Sequence, residues 1–500
     1  MASNKLGTQS ASLLRHLAIL TTVCIFVLSV IFLRSDTHAF RTQRSINNNN
    51  NNNTSYYNTF KRHPPPNFDK WIHFANQRNC STRLKDYAII YDKLDTWMQR
   101  GGIPSERLNA FEEHWDVKML QFVDGKFTGD PRILEGRMQL FDAVAPLLVE
   151  AKSFKFVLNQ LDEPVAVPAD GDSGLSYSRR NLSEESVMRY LFGKSQCFRA
   201  RFGAYSVTES PKWLRLDSGV EYVHSFMQQP AFYDTKVRNT DVPVFSQCTT
   251  ACHSDVPIPL KYHVETARNP PKDVVLWEKK KRVVFWRGST TGGRYIQGAP
   301  WRMYHRTRLV QWGIDYEENH VNSTFDASVS DAPQSVKLAV DIGFHAFTQQ
   351  DAATEVQLLK EYGVKGYVSL ESSLQFKYLI VVDGYAWPSR LQQYLASNSV
   401  VLYNGIFLDF FSARLKPWVH YVPFRLDYSD LEERLVWLME NDDAARRISE
   451  NARSLMESVN RIEFLECYTG LLFLEYSHLY DKGVVGFQDL CTVGSKALDQ

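Results

Sequence analysis

From about residue 275 onward the chain alternates short strand-like runs with helical stretches, and this alternation restricts the fold more than any other feature. Lys281–Trp286 (KRVVFW), Phe376–Val382 (FKYLIVV), Val400–Tyr403 and Trp418–Pro423 read as strands. Trp301–Trp312, Ser389–Ala396, Leu431–Met439 and Asp443–Val459 carry helical spacing, and Ser335–Phe344 is mixed apolar. Strands alternating with helices are the signature of a parallel α/β sheet. The first half is less regular. Trp71–Glu150 reads as mainly helical, with Tyr87–Arg100 ended by Gly101-Gly102. Ser153–Leu161 reads as a strand running into Asp162-Glu163-Pro164, and Val242–Ser246 as a short strand before an irregular segment, Cys248–Pro259. Pro270-Pro271 breaks both element types and marks a boundary. The expected architecture is two α/β domains with a cleft between them.

Charge and composition narrow the function classes. With 57 Lys+Arg against 56 Asp+Glu, the net charge is +1, so no basic excess exists to neutralise the phosphates of a nucleic acid. Apolar content of 44% and charged content of 23% exclude a mostly disordered chain and a multi-span membrane protein. The uncharged apolar run Leu17–Leu33 falls within the length of a membrane span. It exceeds the apolar core of a cleaved signal peptide, for which Thr37-His38-Ala39 offers a weak cleavage site. It reads as an uncleaved anchor, with residues 1–16 as a cytoplasmic tail and a lumenal body. The polar segment 34–66, with its Asn run 47–53, cannot pack a core and reads as a flexible stem. Sequons at Asn52, Asn53, Asn79, Asn181 and Asn322 are compatible with a lumenal body. So are six cysteines beyond Cys24: Cys80, Cys197, Cys248, Cys252, Cys467 and Cys491. Cys248-x3-Cys252-His253 lacks a second ligand pair at zinc-site spacing.

Two constellations could carry chemistry. Phe285-Trp286-Arg287-Gly288-Ser289-Thr290 delivers an Arg at a strand end, followed by a glycine and hydroxyl residues. In open α/β sheets ligands bind at the carboxyl ends of strands, and Arg offers a planar fork to phosphate. A surface turn with a solvated Arg fits the same spacing equally well. Asp383-Gly384-Tyr385-Ala386-Trp387-Pro388-Ser389-Arg390 repeats the strand, loop and helix order, and a helix start beside Ser389 and Arg390 suits an anion. Its bland counterpart is an ordinary strand-to-helix turn. No P-loop or nucleophile elbow is present. Asp170-Gly171-Asp172 is a lone D-x-D that would hold a metal in a metal-dependent transferase, or form an acidic turn. Asp162, at a strand end, could act as a general base toward a hydroxyl, or simply form a turn before Pro164.

The ordered set of motifs resembles the capsule-associated glycosyltransferase family, which includes fungal capsule xylosyltransferases and Rumi-type protein O-glucosyltransferases. The residues concerned are Asn159-Gln160-Leu161-Asp162-Glu163-Pro164, Cys248–Pro259, Phe285–Ser289, Lys377-Tyr378-Leu379, Asp383-Gly384 with Ser389-Arg390, and Leu415–Pro423, spread over about residues 150–480. The resemblance implies a GT-B fold of two Rossmann-like domains, here 67–272 for the acceptor side and 273–480 for the donor, with a tail at 481–500. It implies inverting transfer from a UDP-sugar, with xylose or glucose the expected sugars, to a glycan or protein hydroxyl. It implies no obligatory cofactor or metal. Asp162 falls on the catalytic base. Arg287, Gly288, Ser289, Thr290, Asp383, Gly384, Ser389 and Arg390 fall on the donor site, with Asp255, Trp418, His420 and Tyr421 as possible flanks. Three positions near that site depart from the fungal pattern. Tyr385 replaces an Asn, Ser389 replaces a Gly, and Leu408-Asp409 replaces Glu-Trp. These departures keep open a noncatalytic lumenal carbohydrate-binding protein as the alternative. The apolar anchor, without a retrieval signal at the carboxyl end, leads to an expectation of a single-pass type II protein of the Golgi, and of the fungal polysaccharide or glycolipid branch over the protein O-glucosyltransferase branch.

Overall fold

All seven residues of Phe376–Val382 are buried, as a strand covered on both faces requires. In the computed structural model this strand is the middle of a five-stranded sheet. The structure describes residues 55–496 apart from 112–116, 135, 152, 167–241, 251–252, 294, 299–300, 322–337 and 426–427. The chain divides into two units, Met1–Pro65 and Pro66–Gln500. In the first, residues 55–60 are helical. The larger unit contains, among the described residues, twelve strands: β1 (Val117–Val123), β2 (Lys126–Thr128), β3 (Phe154–Asn159), β4 (Val244–Ser246), β5 (Thr249–Thr250), β6 (Val256–Pro257), β7 (Lys281–Ser289), β8 (Ala339–Ala346), β9 (Phe376–Val382), β10 (Val400–Asn404), β11 (Phe407–Leu408) and β12 (Val422–Pro423). Ten of its described helices have six residues or more: α1 (Phe68–Gln77), α2 (Ala88–Gln99), α3 (Met138–Val144), α4 (Lys261–Arg268), α5 (His305–Val321), α6 (Ala352–Glu361), α7 (Arg390–Leu395), α8 (Leu431–Glu440), α9 (Asp442–Val459) and α10 (Ile462–Lys496).

The second sheet runs β12-β10-β9-β7-β8, and every pairing in it is parallel. Chain order therefore turns back between β7 and β9. In doubly wound sheets that reversal opens a crevice at the carboxyl ends of the two strands. Trp286, Ile380, Leu402 and Leu435 form part of the core beneath it.

The first sheet runs β2-β1-β3-β4-β6. β3, β4 and β6 are parallel, whereas β1 is antiparallel to both β2 and β3. The β1–β2 hairpin occupies a stretch that reads as mainly helical. Its turn is Asp124-Gly125, with φ of 50° and 78°, and positive φ at both central residues matches the right-handed twist of the flanking strands. Phe127, Phe154, Phe156 and Phe245 surround Phe473 of α10, with ring centroids 4.8 to 6.1 Å apart. α10 thus follows the second sheet in sequence but closes the core of the first. Trp71 donates its indole N–H to the Cys467 carbonyl (2.8 Å), and Tyr468 its hydroxyl to the Pro257 carbonyl (2.8 Å). β5, between β4 and β6 in sequence, pairs with β11, which follows β10, so segments attached to the two sheets hydrogen-bond to each other.

Several boundaries differ from expectation, three of them near the site or the chain end. β7 continues through Arg287, Gly288 and Ser289. The strand expected at Trp418–Pro423 shrinks to Val422–Pro423, because Trp418 is left-handed (φ 61°) and its N–H turns back to the Tyr421 carbonyl. The segment from 481, read as a tail, continues α10 to Lys496. No helix among the described residues is long and apolar enough to cross a membrane, and the run 17–33 lies outside them. The stem up to residue 54 and the sequons at Asn52, Asn53, Asn181 and Asn322 also lie outside. Asn79 is exposed.

Cys80, just after α1, forms a disulfide with Cys467 of α10 across 387 residues. Closing so long a loop restricts the unfolded chain, typically by about 2–4 kcal/mol. Cys80→Ser should therefore lower the unfolding midpoint, and a reductant should lower that of the wild type by more than that of the variant. Equal wild-type midpoints with and without reductant would show that the bridge contributes nothing.

Candidate active site

The first wall of the site is built at the carboxyl end of β3. Asn159 closes the following turn: its amide donates to the Glu163 carbonyl (2.6 Å) and to Ser246 Oγ (3.2 Å), and its Oδ1 accepts the Leu161 N–H (2.9 Å). Asp255 fastens the far end. Its carboxylate accepts the N–H groups of Val165 (2.9 Å) and Ala166 (2.7 Å) and the Ser246 hydroxyl (2.5 Å). Burial pushes the Asp255 carboxyl up to about 6 despite these donors. Asp162 is held exposed between these two ties. Gln247, directly after β4, donates its amide to Asp162 Oδ1 (2.6 Å), and the Cys248 thiol donates to the Asp162 carbonyl (3.2 Å). No hydrogen bond from the described residues falls on Asp162 Oδ2.

The second wall is built at the ends of β7 and β9. Arg306, in the first turn of α5, donates Nη1 to the Ser289 carbonyl (3.0 Å) and Nε to the Asp383 carbonyl (3.0 Å), joining the two strand ends. A Cβ at Gly384 would lie 2.6 Å from Arg306 Nη2, so only glycine lets the guanidinium approach. Gly292 has φ +92°, and a Cβ there would meet the Gly384 carbonyl at 3.0 Å. Asp383 is 1% exposed. Its Oδ2 accepts the Ile406 N–H (2.6 Å), and burial pushes its carboxyl up to about 8.

The two walls enclose a cleft of about 380 Å³. Asp162, Gln247 and Tyr262 line one side, and Thr291, Arg306 and the loop Gly384–Arg390 line the other. Arg306 and Arg390 form no ion pair among the described residues, in contrast to Arg287. Desolvation, reinforced by Arg390, lowers the Arg306 guanidinium to about 10, so it stays charged at neutral pH. His345 is lowered by burial and by Arg390, Arg287 and Arg306, which marks the region as electropositive. The cleft therefore sets unpaired cations opposite a carboxylate.

Of the residues singled out in the sequence, the structure brings Asp162, Gly384, Ser389 and Arg390 together around this cleft. The others sit elsewhere. Arg287 Nη2 donates to both carboxylate oxygens of Asp341 of β8 (2.7 and 2.8 Å), and the Arg287 carbonyl accepts from Arg390. Gly288 leaves room for the Trp286 indole, Ser289 offers its carbonyl to Arg306, and Thr290 exchanges hydrogen bonds with Thr348. Asp383 and Asp255 lie beneath the two walls. Trp418 packs on Trp437 (4.9 Å), Tyr421 on Tyr403 (5.4 Å), and the His420 ring accepts the Lys416 N–H. Asp170, Asp172 and Cys252 lie outside the described residues, and His253 bonds to Thr250 (2.7 Å). Gln247, Tyr262, Arg306 and Trp387 line the cleft without having been singled out. The run Arg302, Arg306, Arg308 after the glycine-rich loop was the one available signal for Arg306.

Fold and site together define an α/β protein whose two sheets direct parallel strand ends toward one polar cleft. Residues 220–498, more than half of the 500, match the model of glycosyl transferase family 90, and the chain belongs to that family. Asp162 precedes the matched region. The chain is 36% identical over 114 residues to protein O-glucosyltransferase 2 of Danio rerio, covering 23% of each chain. It is 34% identical over 111 residues to protein O-glucosyltransferase 1 of Homo sapiens, covering 22% of this chain and 28% of the relative. It is 28% identical over 206 residues to the O-glucosyltransferase rumi homolog of Aedes aegypti, covering 41% of this chain and 43% of the relative. The chain thus spans less than half the length of each of these relatives.

The raised carboxyl of Asp383 has a consequence for stability. Between the unfolded carboxylate value of about 4 and about 8, the folded state binds the extra proton. Stability contributed by the protonated form is therefore lost as pH rises through that window and levels off above it. Asp383→Asn should flatten the pH dependence of urea unfolding between pH 6 and 8, with its largest relative gain at pH 8. Parallel wild-type and variant curves over that range would contradict this.

Proposed function

We propose that the protein is an inverting glycosyltransferase that moves a sugar from a UDP-sugar to a hydroxyl of a protein or glycan. The observation that carries this reading is the pair Arg306 and Arg390, without an ion pair among the described residues, at the β7/β9 switch point and facing Asp162 across the cleft. Arginine forks suit a diphosphate, and a carboxylate with one unencumbered oxygen suits a hydroxyl proton. Family membership and the relatives named as O-glucosyltransferases support the same reaction, with glucose or xylose as the sugar.

In this scheme the acceptor oxygen attacks the anomeric carbon while Asp162 Oδ2 takes its proton and Gln247 fixes Oδ1. The bond from the anomeric carbon to the β-phosphate oxygen breaks on the opposite face. UDP leaves with the charge that Arg306 and Arg390 neutralise. The architecture is GT-B, with residues 67–272 on the acceptor side and 273–480 on the donor side. The disulfide and the exposed Asn79 sequon support a body in the secretory pathway. The apolar run 17–33 is proposed to anchor it as a single-pass type II protein of the Golgi membrane.

Release of UDP from UDP-glucose and UDP-xylose, with water as acceptor, tests the base. Asp162→Asn should lower the rate by about 10²–10⁴-fold while UDP still binds. Near-normal turnover by a folded variant would remove Asp162 from that role.

A further inference from the structure

α4 brings two consecutive side chains against the loop that carries Arg390. Tyr262 donates its hydroxyl to the Ser389 carbonyl (2.9 Å), and its ring lies edge-on to Trp387 at 5.6 Å. The His263 ring stacks on the Trp387 indole at 4.8 Å. His263 is itself fixed on both ring nitrogens. Nδ1 accepts the Leu260 N–H (3.0 Å), which places the proton on Nε2, and Nε2 donates to Asp409 Oδ2 (3.1 Å). Both partners are fully buried, and Phe410 closes the His263 edge at 5.0 Å. Asp409 is held in turn by the Phe410 N–H (2.6 Å). The Trp387 indole N–H is buried and has no hydrogen-bond partner among the described residues, so no polar tie of its own sets the ring's place. Packing against Tyr262 and His263 sets it instead.

We infer that Tyr262 and His263, backed by Asp409, are positioning residues that hold the Trp387-Pro388-Ser389 turn in register, so that Arg390 meets the donor's diphosphate opposite Asp162. This rests on the reading of the cleft as a UDP-sugar site. The geometry explains why residues from opposite walls must cooperate. Tyr262 and His263 follow β6 of the first sheet, whereas the turn follows β9 of the second. Asp409, one of the positions departing from the fungal pattern, gains a role as the fixed end of this chain of contacts.

The test uses the full chain and two conservative variants. Tyr262→Phe keeps the ring and removes the hydroxyl. His263→Gln keeps a donor toward Asp409 and removes the stacked ring. UDP affinity is measured by calorimetry, KM and kcat are measured for UDP-glucose hydrolysis, and thermal midpoints serve as the folding control. Each variant should weaken UDP binding and raise KM by about three- to tenfold, the scale of one lost interaction. kcat should fall as well, because Arg390 also meets the charge that develops on the departing UDP. Wild-type UDP affinity in both folded variants would overturn the inference. So would a fall in kcat with KM unchanged. A folded wild type that binds no UDP would instead overturn the reading of the cleft itself.

Discussion

One guanidinium joins the ends of the two strands between which the second sheet reverses its order. Arg306 donates to the carbonyls of Ser289 and Asp383, and so fixes the loops after β7 and β9 relative to each other. The arrangement imposes requirements on its surroundings. Gly384 must lack a side chain for the guanidinium to fit, and Gly292 must be left-handed to pass the Gly384 backbone. Keeping a charged group partly desolvated and without an ion pair is costly. Such a cost is understandable where an anion is to be bound, and Arg390, beside it in the same cleft, has the same character.

The first wall follows a related logic with the sign reversed. Asn159, Ser246 and Asp255 form a small buried network whose hydrogen bonds go to the backbone of the loop after β3. They spend their polar groups on loop geometry and leave Asp162 facing the cleft. α10 then closes the core of this half, and the Cys80–Cys467 bridge fixes it there. A segment late in the sequence thus stabilises the wall that carries the carboxylate.

Much of this was legible in the sequence where a signal is local. The run FKYLIVV is a strand with the expected bounds, and the spacing of Asn159, Asp162 and Pro164 places a carboxylate at a strand end. Where the partner comes from a distant segment, local reading falls short. Arg287 looks like a phosphate ligand until β8 places Asp341 against it. Arg306, Gln247 and Tyr262 reach the cleft from three separate elements, and only the sheet order brings them together. The β1–β2 hairpin was readable in principle, because Asp124-Gly125 is a strong two-residue turn signal. The long helical pattern on either side outweighed it.

Everything proposed for this cleft depends on Arg306 and Arg390 making it a nucleotide diphosphate site. Calorimetric titration of the wild type, Arg306→Ala and Arg390→Ala with UDP in the presence of a chelator tests it most directly. The wild type should bind at micromolar concentration, and each substitution should weaken binding about ten- to a hundredfold, as loss of a charge-assisted hydrogen bond implies. A folded wild type that does not bind UDP, or binding that neither substitution changes, would contradict it.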